Sequence, residues 1–265
     1  MGMVSTVPAP KAPPPPQAPQ NRTARYYLSY LRSLVFTNPL IYLETAVCGT
    51  LSLCGSLFDS RGRWQHGCAR TWSWLILKTS RIRVRVEGLE NIRPGETVIF
   101  CANHASAMDI PILFVSLPVQ FRFLAKRSLF HLPFLGWHLR RSGHISIDRG
   151  RVHQARKGFE EAARKIREGK SVVLFPEGHR SRSGEMLPFK SGSFLLAVLS
   201  GVPIVPITLN GTREVLVPDT HHVRPGQTEI IFHEPIPTKG LTLNDVDALS
   251  ARIRKQIASR IPEPS

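Results

Sequence analysis

The first long apolar stretch of the chain shows no alternation. Leu34 to Phe58 carries one charged residue, Glu44, although Pro39, two glycines and several Ser and Thr residues dilute it. A membrane-spanning helix needs about 20 strongly apolar residues, so this stretch stands at the border. Arg22, Arg25 and Arg32 lie on one side and Arg61 and Arg63 on the other. Basic residues at both ends suit a segment that enters one leaflet and returns, because a spanning helix is flanked asymmetrically. Arg61 to Ser80 reads as a helix in which Trp64, Cys68, Trp72, Leu75 and Ile76 share one face. With Arg63, Arg70 and Lys78 elsewhere around it, this helix has the make-up of an interfacial membrane helix. The same periodicity fits a helix packed on the domain, since such a pattern does not name its apolar partner.

After Ser80 the pattern becomes α/β. Arg81 to Val86 alternates basic and apolar residues, predicting a strand with one wet face. Thr97–Ala102, Ser171–Phe175 and Pro203–Leu209 read as buried strands, with Ile145–Asp148 and Glu229–Phe232 as shorter ones. Ile110–Leu117 is an apolar helical run. Ala155, Phe159, Ala162, Ala163 and Ile166 mark one further helical stripe; Leu243, Val246, Leu249, Ile253 and Ile257 mark another. Strands separated by helices predict a mixed, largely parallel sheet covered by helices. The expected organisation is a disordered Pro-rich tail over 1–21, a membrane-associating helical segment over 22–80 and an α/β domain over 81–265.

With 42% hydrophobic and 20% charged residues among 265, the composition is that of a globular protein able to bury a core. Charge changes the picture. Thirty-five basic residues, 26 of them arginine, oppose 19 acidic ones, a net of +16. Such an excess fits nucleic acid, an anionic membrane face or phosphorylated substrates. Arginine favours bidentate phosphate binding, and a GC-rich genome produces the same bias. The basic stretches are not interleaved with stacking aromatics and carry no nucleic-acid motif, so nucleic acid is not an expected partner. Cys48, Cys54, Cys68 and Cys101 lack zinc-ligand or disulfide spacing and fit reduced core thiols in a cytosol-facing protein. The scattered histidines outside the motifs lack ligand spacing, so no metal is expected.

The candidate chemistry lies just past two buried strands, where open α/β sheets bind ligands. Asn103-His104-Ala105-Ser106-Ala107-Met108-Asp109 follows the first. Five residues apart on a regular helix, His104 and Asp109 would point about 140° apart. With His104 in the turn and Asp109 in the first helical turn, the carboxylate folds back to the imidazole. It then accepts the Nδ1 proton and leaves Nε2 free as a base. A helix N-cap with a stray histidine reads the same way. No Gly-x-Ser-x-Gly nucleophile elbow accompanies the pair, and Cys101 lies within the strand run. Phe175-Pro176-Glu177-Gly178-His179-Arg180-Ser181-Arg182 follows the second strand. Its glycine permits a tight turn, and its arginines offer forks for a phosphate with Glu177 able to hold one of them. A solvated basic loop has the same composition.

Four blocks in order, over roughly Val84 to Glu214, resemble the glycerolipid (lysophospholipid) acyltransferase family, which includes the 1-acyl-glycerol-3-phosphate acyltransferases. The first is Asn-His-x-x-x-x-Asp, at Asn103, His104 and Asp109. The second runs from Phe123-Leu124-Ala125-Lys126 through Phe134-Leu135-Gly136 to Gly143-His144-Ile145-Ser146-Ile147-Asp148-Arg149. The third is Phe175-Pro176-Glu177-Gly178-His179-Arg180-Ser181, continuing to Pro188-Phe189-Lys190-Ser191-Gly192; the fourth is Val202-Pro203-Ile204-Val205-Pro206-Ile207. His179 stands where the family has threonine, and Ser146 where it has a bulky apolar residue.

The resemblance implies that His104 is the general base and Asp109 its orienting partner. Glu177, Gly178 and Arg180 match the acceptor-binding block, with Arg180 as the phosphate ligand and Lys126 and Arg149 as secondary ones. It implies a membrane enzyme at the cytoplasmic face that moves an acyl chain to lysophosphatidate, forming phosphatidate. The donor is acyl-CoA or acyl carrier protein as co-substrate, and no further cofactor is needed. The partners are an anionic membrane lipid, a lysophospholipid acceptor and an acyl thioester donor. Another acceptor (glycerol-3-phosphate, a different lysophospholipid or an aminolipid) keeps the same enzyme class, while a non-catalytic basic membrane-binding module is the reading from a different class.

Overall fold

The computed structural model describes residues 23–59, 61–147 and 152–262. The tail expected over 1–21 and the phosphate ligand expected at Arg149 lie outside the described residues. Helix α1 (Ala24–Arg32), a π-helical turn (Ser33–Thr37) and α2 (Asn38–Gly55) form one continuous helix. Pro39 does not interrupt it. It sits in the first turn of α2, directly after the wider π turn, where its missing N–H and ring are accommodated. The helix of 32 residues is long and apolar enough to cross a membrane by length and composition, and 11% of its apolar window is buried.

Helix α3 (Arg63–Ser80) runs back along α2. Two tryptophans of the face read as interfacial bond to α2, and Trp64 stays half exposed. Trp64 Nε1 donates to the Leu51 carbonyl at 3.0 Å and Trp72 Nε1 to Thr45 Oγ1 at 2.9 Å. Ile76 of the same face and its neighbour Leu77 are buried in the core.

The remaining strands are β1 (Ile82–Glu87), β2 (Ile99–Ala102), β3 (Phe121–Lys126), β4 (Ile145–Ile147), β5 (Ser171–Leu174), β6 (Ile204–Asn210) and β7 (Gly226–Phe232). They form a single sheet in the order β1-β7-β6-β2-β5-β3-β4. β6, β2, β5, β3 and β4 run parallel; β7 turns antiparallel to β6, and β1 pairs parallel to β7 from Ile82 opposite Gly226. The mixed, largely parallel sheet read from the sequence is thus present. Alternation along β2 sorts its side chains: Phe100 and Ala102 join α3 and α4 (Asp109–Ser116) on one face, while Ile99 and Cys101 face the opposite layer. That second layer is built by α6 (Val152–Arg167), α7 (Gly192–Ser200) and α9 (Val246–Ala258).

Two expectations change. β3 is a strand at the heart of the second motif block, not singled out from its pattern because Arg122 and Lys126 break the apolar run. Arg122 is nonetheless buried, donating to the Phe121 and Arg61 carbonyls at 2.9 Å and tying the chain before α3 to the sheet. Leu243 is exposed, in a short 3-10 turn (Leu243–Asp245) before α9, whereas the other four members of its stripe are buried. Pro206 sits in the interior strand β6. Its carbonyl accepts the His233 N–H at 3.0 Å, so its donorless nitrogen faces the point where β7 ends and leaves no ladder bond unmade. Of the cysteines, Cys48 and Cys101 are buried and all four are free thiols, but Cys54 is exposed.

Candidate active site

The parallel strands point their carboxyl ends to one edge, and that edge carries the motif residues. β2 ends at Ala102, and Asn103 continues its direction with a side chain in place of a peptide. Asn103 Nδ2 donates to the Leu209 carbonyl at 2.9 Å while Oδ1 accepts the Leu209 N–H at 2.7 Å. This amide bridges β2 to β6 where the ladder stops, and it fixes the backbone from which His104 departs.

Asp109 is the first residue of α4 and has no solvent-exposed surface. Its Oδ2 lies 2.7 Å from His104 Nδ1 and accepts the N–H groups of Ala105 and Ser106 at 2.9 Å each. An oxygen that accepts two peptide N–H groups meets the imidazole as an acceptor. His104 Nδ1 is therefore the donor to Asp109, and in that tautomer Nε2 is the ring nitrogen that can accept a proton. The imidazole keeps 14% of its surface exposed and stacks on Phe175, with ring centroids 3.9 Å apart and planes 16° apart.

Phe175 follows β5. Phe175 to Gly178 closes a turn in which the Gly178 N–H donates to the Phe175 carbonyl at 3.1 Å, with Pro176 in the second position and Gly178 at φ +84°. Glu177 points inward and is buried. Its Oε1 accepts the His104 N–H at 2.7 Å and its Oε2 the Leu187 N–H at 2.8 Å. Burial raises its pKa, and the two backbone N–H bonds oppose that rise. Both oxygens take backbone donors, so Glu177 braces the His104 turn against the loop after β5, and neither of these two bonds is to the arginine expected beside it. The Ser181 N–H completes the brace by donating to the His104 carbonyl at 2.9 Å.

Arg180 is half-buried beside this brace. Its Nη2 lies 3.4 Å from Asp219 Oδ1, and Arg182 Nε donates to Asp219 Oδ2 at 3.0 Å. Asp219 adopts φ +61°, the left-handed region, in the segment between α8 (Thr212–Val215) and β7. That segment is gripped from the N-terminal helix: Ser33 Oγ donates to the His221 carbonyl at 2.9 Å and accepts the Val223 N–H at 2.8 Å, and Asn38 Nδ2 donates to the same His221 carbonyl at 2.8 Å. Lys126 is exposed at the carboxyl end of β3, on the same sheet edge as His104.

Asp219, Phe175 and the bridging role of Asn103 escaped the sequence reading. Phe175 and Asn103 stood inside quoted blocks, so their signal was position within a motif; a lone aspartate between Pro218 and Thr220 carries none. Burial pushes the Cys101 thiol up, which makes it no nucleophile. Among the described residues no group of three or more His, Cys, Asp or Glu side chains is placed to hold a metal. A cavity of about 350 Å³ lies among Arg127, Arg140, Ser146 and Lys165, and its lining does not include His104.

A family model described as Acyltransferase matches residues 83–210. The chain is 35% identical over 192 residues to a 1-acyl-sn-glycerol-3-phosphate acyltransferase of Chlamydomonas reinhardtii, covering 71% of this chain and 56% of that protein. It is 31% identical over 244 residues to the 1-acyl-sn-glycerol-3-phosphate acyltransferase of Saccharomyces cerevisiae, covering 89% of this chain and 78% of that one. The chain spans about half the length of several curated relatives that it matches, including those of C. reinhardtii, Brassica napus and Arabidopsis thaliana. The crystal structure of the 1-acyl-sn-glycerophosphate (LPA) acyltransferase from Thermotoga maritima superposes with a TM-score of 0.71 at 26% identity, covering 89% of this chain and all 100% of that one. On these matches the chain belongs to the glycerolipid acyltransferase family.

Proposed function

We propose that the chain transfers an acyl group from a thioester, acyl-CoA or acyl carrier protein, to the free hydroxyl of lysophosphatidate, forming phosphatidate. One observation carries the reading: Asp109 holds His104 by Nδ1 at 2.7 Å, which leaves Nε2 as a base at the catalytic edge of the sheet. Nε2 takes the proton of the acceptor hydroxyl as its oxygen attacks the thioester carbonyl. The tetrahedral oxyanion collapses, the C–S bond breaks, and the imidazolium returns the proton to the departing thiolate. Asp109 stabilises the transient imidazolium. Arg180, with Lys126 and Arg149 in support, holds the acceptor phosphate, and the buried Glu177 keeps the His104 turn in register with the Arg180 loop. The names of the relatives, which are 1-acyl-sn-glycerol-3-phosphate acyltransferases in most of the matches given above, support lysophosphatidate as acceptor.

The membrane enters the same reading. The helix Ala24–Gly55 keeps Leu28, Leu31, Phe36, Tyr42 and Leu43 each more than half exposed. Together with the turn back into α3, this favours residues 22–80 as the part that seats the catalytic domain on an anionic bilayer from the cytoplasmic side. Replacing His104 tests the chemistry. His104→Ala should lower acyl transfer to lysophosphatidate by about 10²–10⁴-fold with folding and vesicle binding intact. Turnover retained at the wild-type rate would exclude the assignment, and a panel of acceptors with one labelled donor separates lysophosphatidate from glycerol-3-phosphate, other lysophospholipids and aminolipids.

A further inference from the structure

The segment after β3 exposes apolar surface that the catalytic reading does not use. Within the nine residues 129–137, Leu129 (38%), Leu132 (48%), Phe134 (75%), Leu135 (42%) and Trp137 (48%) are exposed. Scattered exposed leucines need no explanation, whereas five large apolar side chains on one short turn form a patch of the kind that marks an interaction site.

The turn is built to present them. Phe130 is buried and anchors it, and Arg140 Nη1 donates to the Phe130 carbonyl at 2.5 Å. Gly136 packs so closely on Phe130 that an added Cβ would lie 2.2 Å from its carbonyl oxygen. Phe134 has φ +59°, an unfavourable conformation for a residue with a side chain, and it holds the most exposed ring of the turn outward.

Two further observations choose the occupant. The turn and the following α5 (Leu135–Arg141) adjoin the apolar α2: Ser52 Oγ lies 3.2 Å from His138 Nδ1, and Arg141 donates to the Ser56 carbonyl. The exposed leucines of α2 therefore continue onto this patch. Moreover, no Asp or Glu occurs in the sequence between Asp109 and Asp148, and Lys126, Arg127, Arg140 and Arg141 are exposed at the two ends of the segment, with Glu161 in the cavity beside Arg127 and Arg140 as the nearby acid. Apolar rings at the centre with cations at the rim match acyl chains and anionic headgroups.

We propose that residues 129–137 form a second membrane contact, inserting Phe134 and Trp137 into an anionic leaflet beside the N-terminal helix. The segment leaves the carboxyl end of β3, on the same edge as His104, so this contact brings the catalytic edge down onto the bilayer. A membrane-held acceptor then reaches His104 without its acyl chain crossing water. The inference rests on the membrane acyltransferase reading and deepens it.

Two arms test it on the full chain. In the first, Trp64→Phe, Trp72→Phe and Trp74→Phe leave Trp137 as the sole tryptophan. With phosphatidylcholine–phosphatidylglycerol vesicles, acyl-chain bromines should quench Trp137 and aqueous iodide should not; iodide quenching undiminished by vesicles overturns the proposal. Shielding of Trp137 before vesicles are added, accompanied by self-association in sedimentation, would assign the patch to a second copy of the chain and also overturn it. In the second arm, Phe134→Ser with Trp137→Ser in the otherwise native chain should weaken vesicle partitioning about tenfold. It should leave turnover of a soluble short-chain lysophosphatidate unchanged, which shows that the variant is folded. Equal partitioning of variant and wild type overturns the proposal. Absence of wild-type turnover on either acceptor would refute the acyltransferase reading instead, and the quenching arm decides the contact independently of activity.

Discussion

At the scale of single residues, the site is organised by buried acceptors that take backbone donors. Asp109 holds one imidazole and two peptide N–H groups, and Glu177 holds two peptide N–H groups. The spacing of His104 and Asp109 allowed their contact without requiring it, since a turn followed by a helix start can fold the aspartate back to the histidine, and a helix start with a stray histidine reads alike. The part played by Glu177 was hidden because its donors, His104 and Leu187, come from two different segments. A third group, His144, adds to the response to acid beside His66, which burial likewise pushes down to about 4. Phe123 N–H donates to His144 Nδ1 at 2.9 Å, and burial, reinforced by Arg122, pushes His144 down to about 3. A histidine in the unfolded chain titrates near 6.5. Between these values the unfolded chain binds a proton that the folded one refuses, so this stability is present in full above about pH 6.5 and lost as pH falls from there towards 3. The urea midpoint should therefore decline across that window. His144→Asn, whose Oδ1 still accepts the Phe123 N–H, should flatten the decline; an unchanged slope would show that other groups set it.

At the scale of elements, α3, α4, α6, α9 and the strands other than β3 were legible from the pattern, while β3, α7 and the segment between α8 and β7 were not. Its role comes from contacts more than 180 residues away in sequence, with Ser33 and Asn38 holding His221 and Val223. On its other side Asp219 gathers Arg180 and Arg182. The segment is thus a strut between the N-terminal helix and the proposed phosphate ligand. Asp219→Asn should free both guanidiniums and raise the KM for lysophosphatidate about two- to fivefold, a small effect because the pairs are half exposed. The kcat should hold, and Asp219→Glu should restore part of the loss. An equal change with an acceptor lacking a phosphate would separate Asp219 from phosphate binding.

Across the whole molecule, the apolar N-terminal segment was recognisable by composition, but its division of labour was not. α2 presents its apolar face outward, whereas α3 gives Trp64 and Trp72 to α2 and contributes Ile76 and Leu77 to the central core. Periodicity could not assign those faces, since lipid and protein interior select the same side chains. A chain beginning at Arg81 should lose vesicle association and also uncover the apolar bed beneath Ile76 and Leu77, so it should aggregate at concentrations where the full chain does not. Membrane association equal to the full chain, measured by flotation, would show that the anchor lies elsewhere.

The pairing of β1 with β7 has a consequence for biosynthesis. β1 is complete by Glu87, but its sole neighbour in the sheet begins at Gly226. On the ribosome it must therefore wait as an unpaired strand while most of the protein is still to be made. Unpaired apolar strands recruit one another between chains, and charge along them is the usual defence. Arg83 and Arg85 alternate with Ile82, Val84 and Val86 in that strand and remain exposed after folding. Two of the positive charges that first suggested a polyanionic partner thus have a second use, keeping nascent chains apart until the last strand closes the sheet.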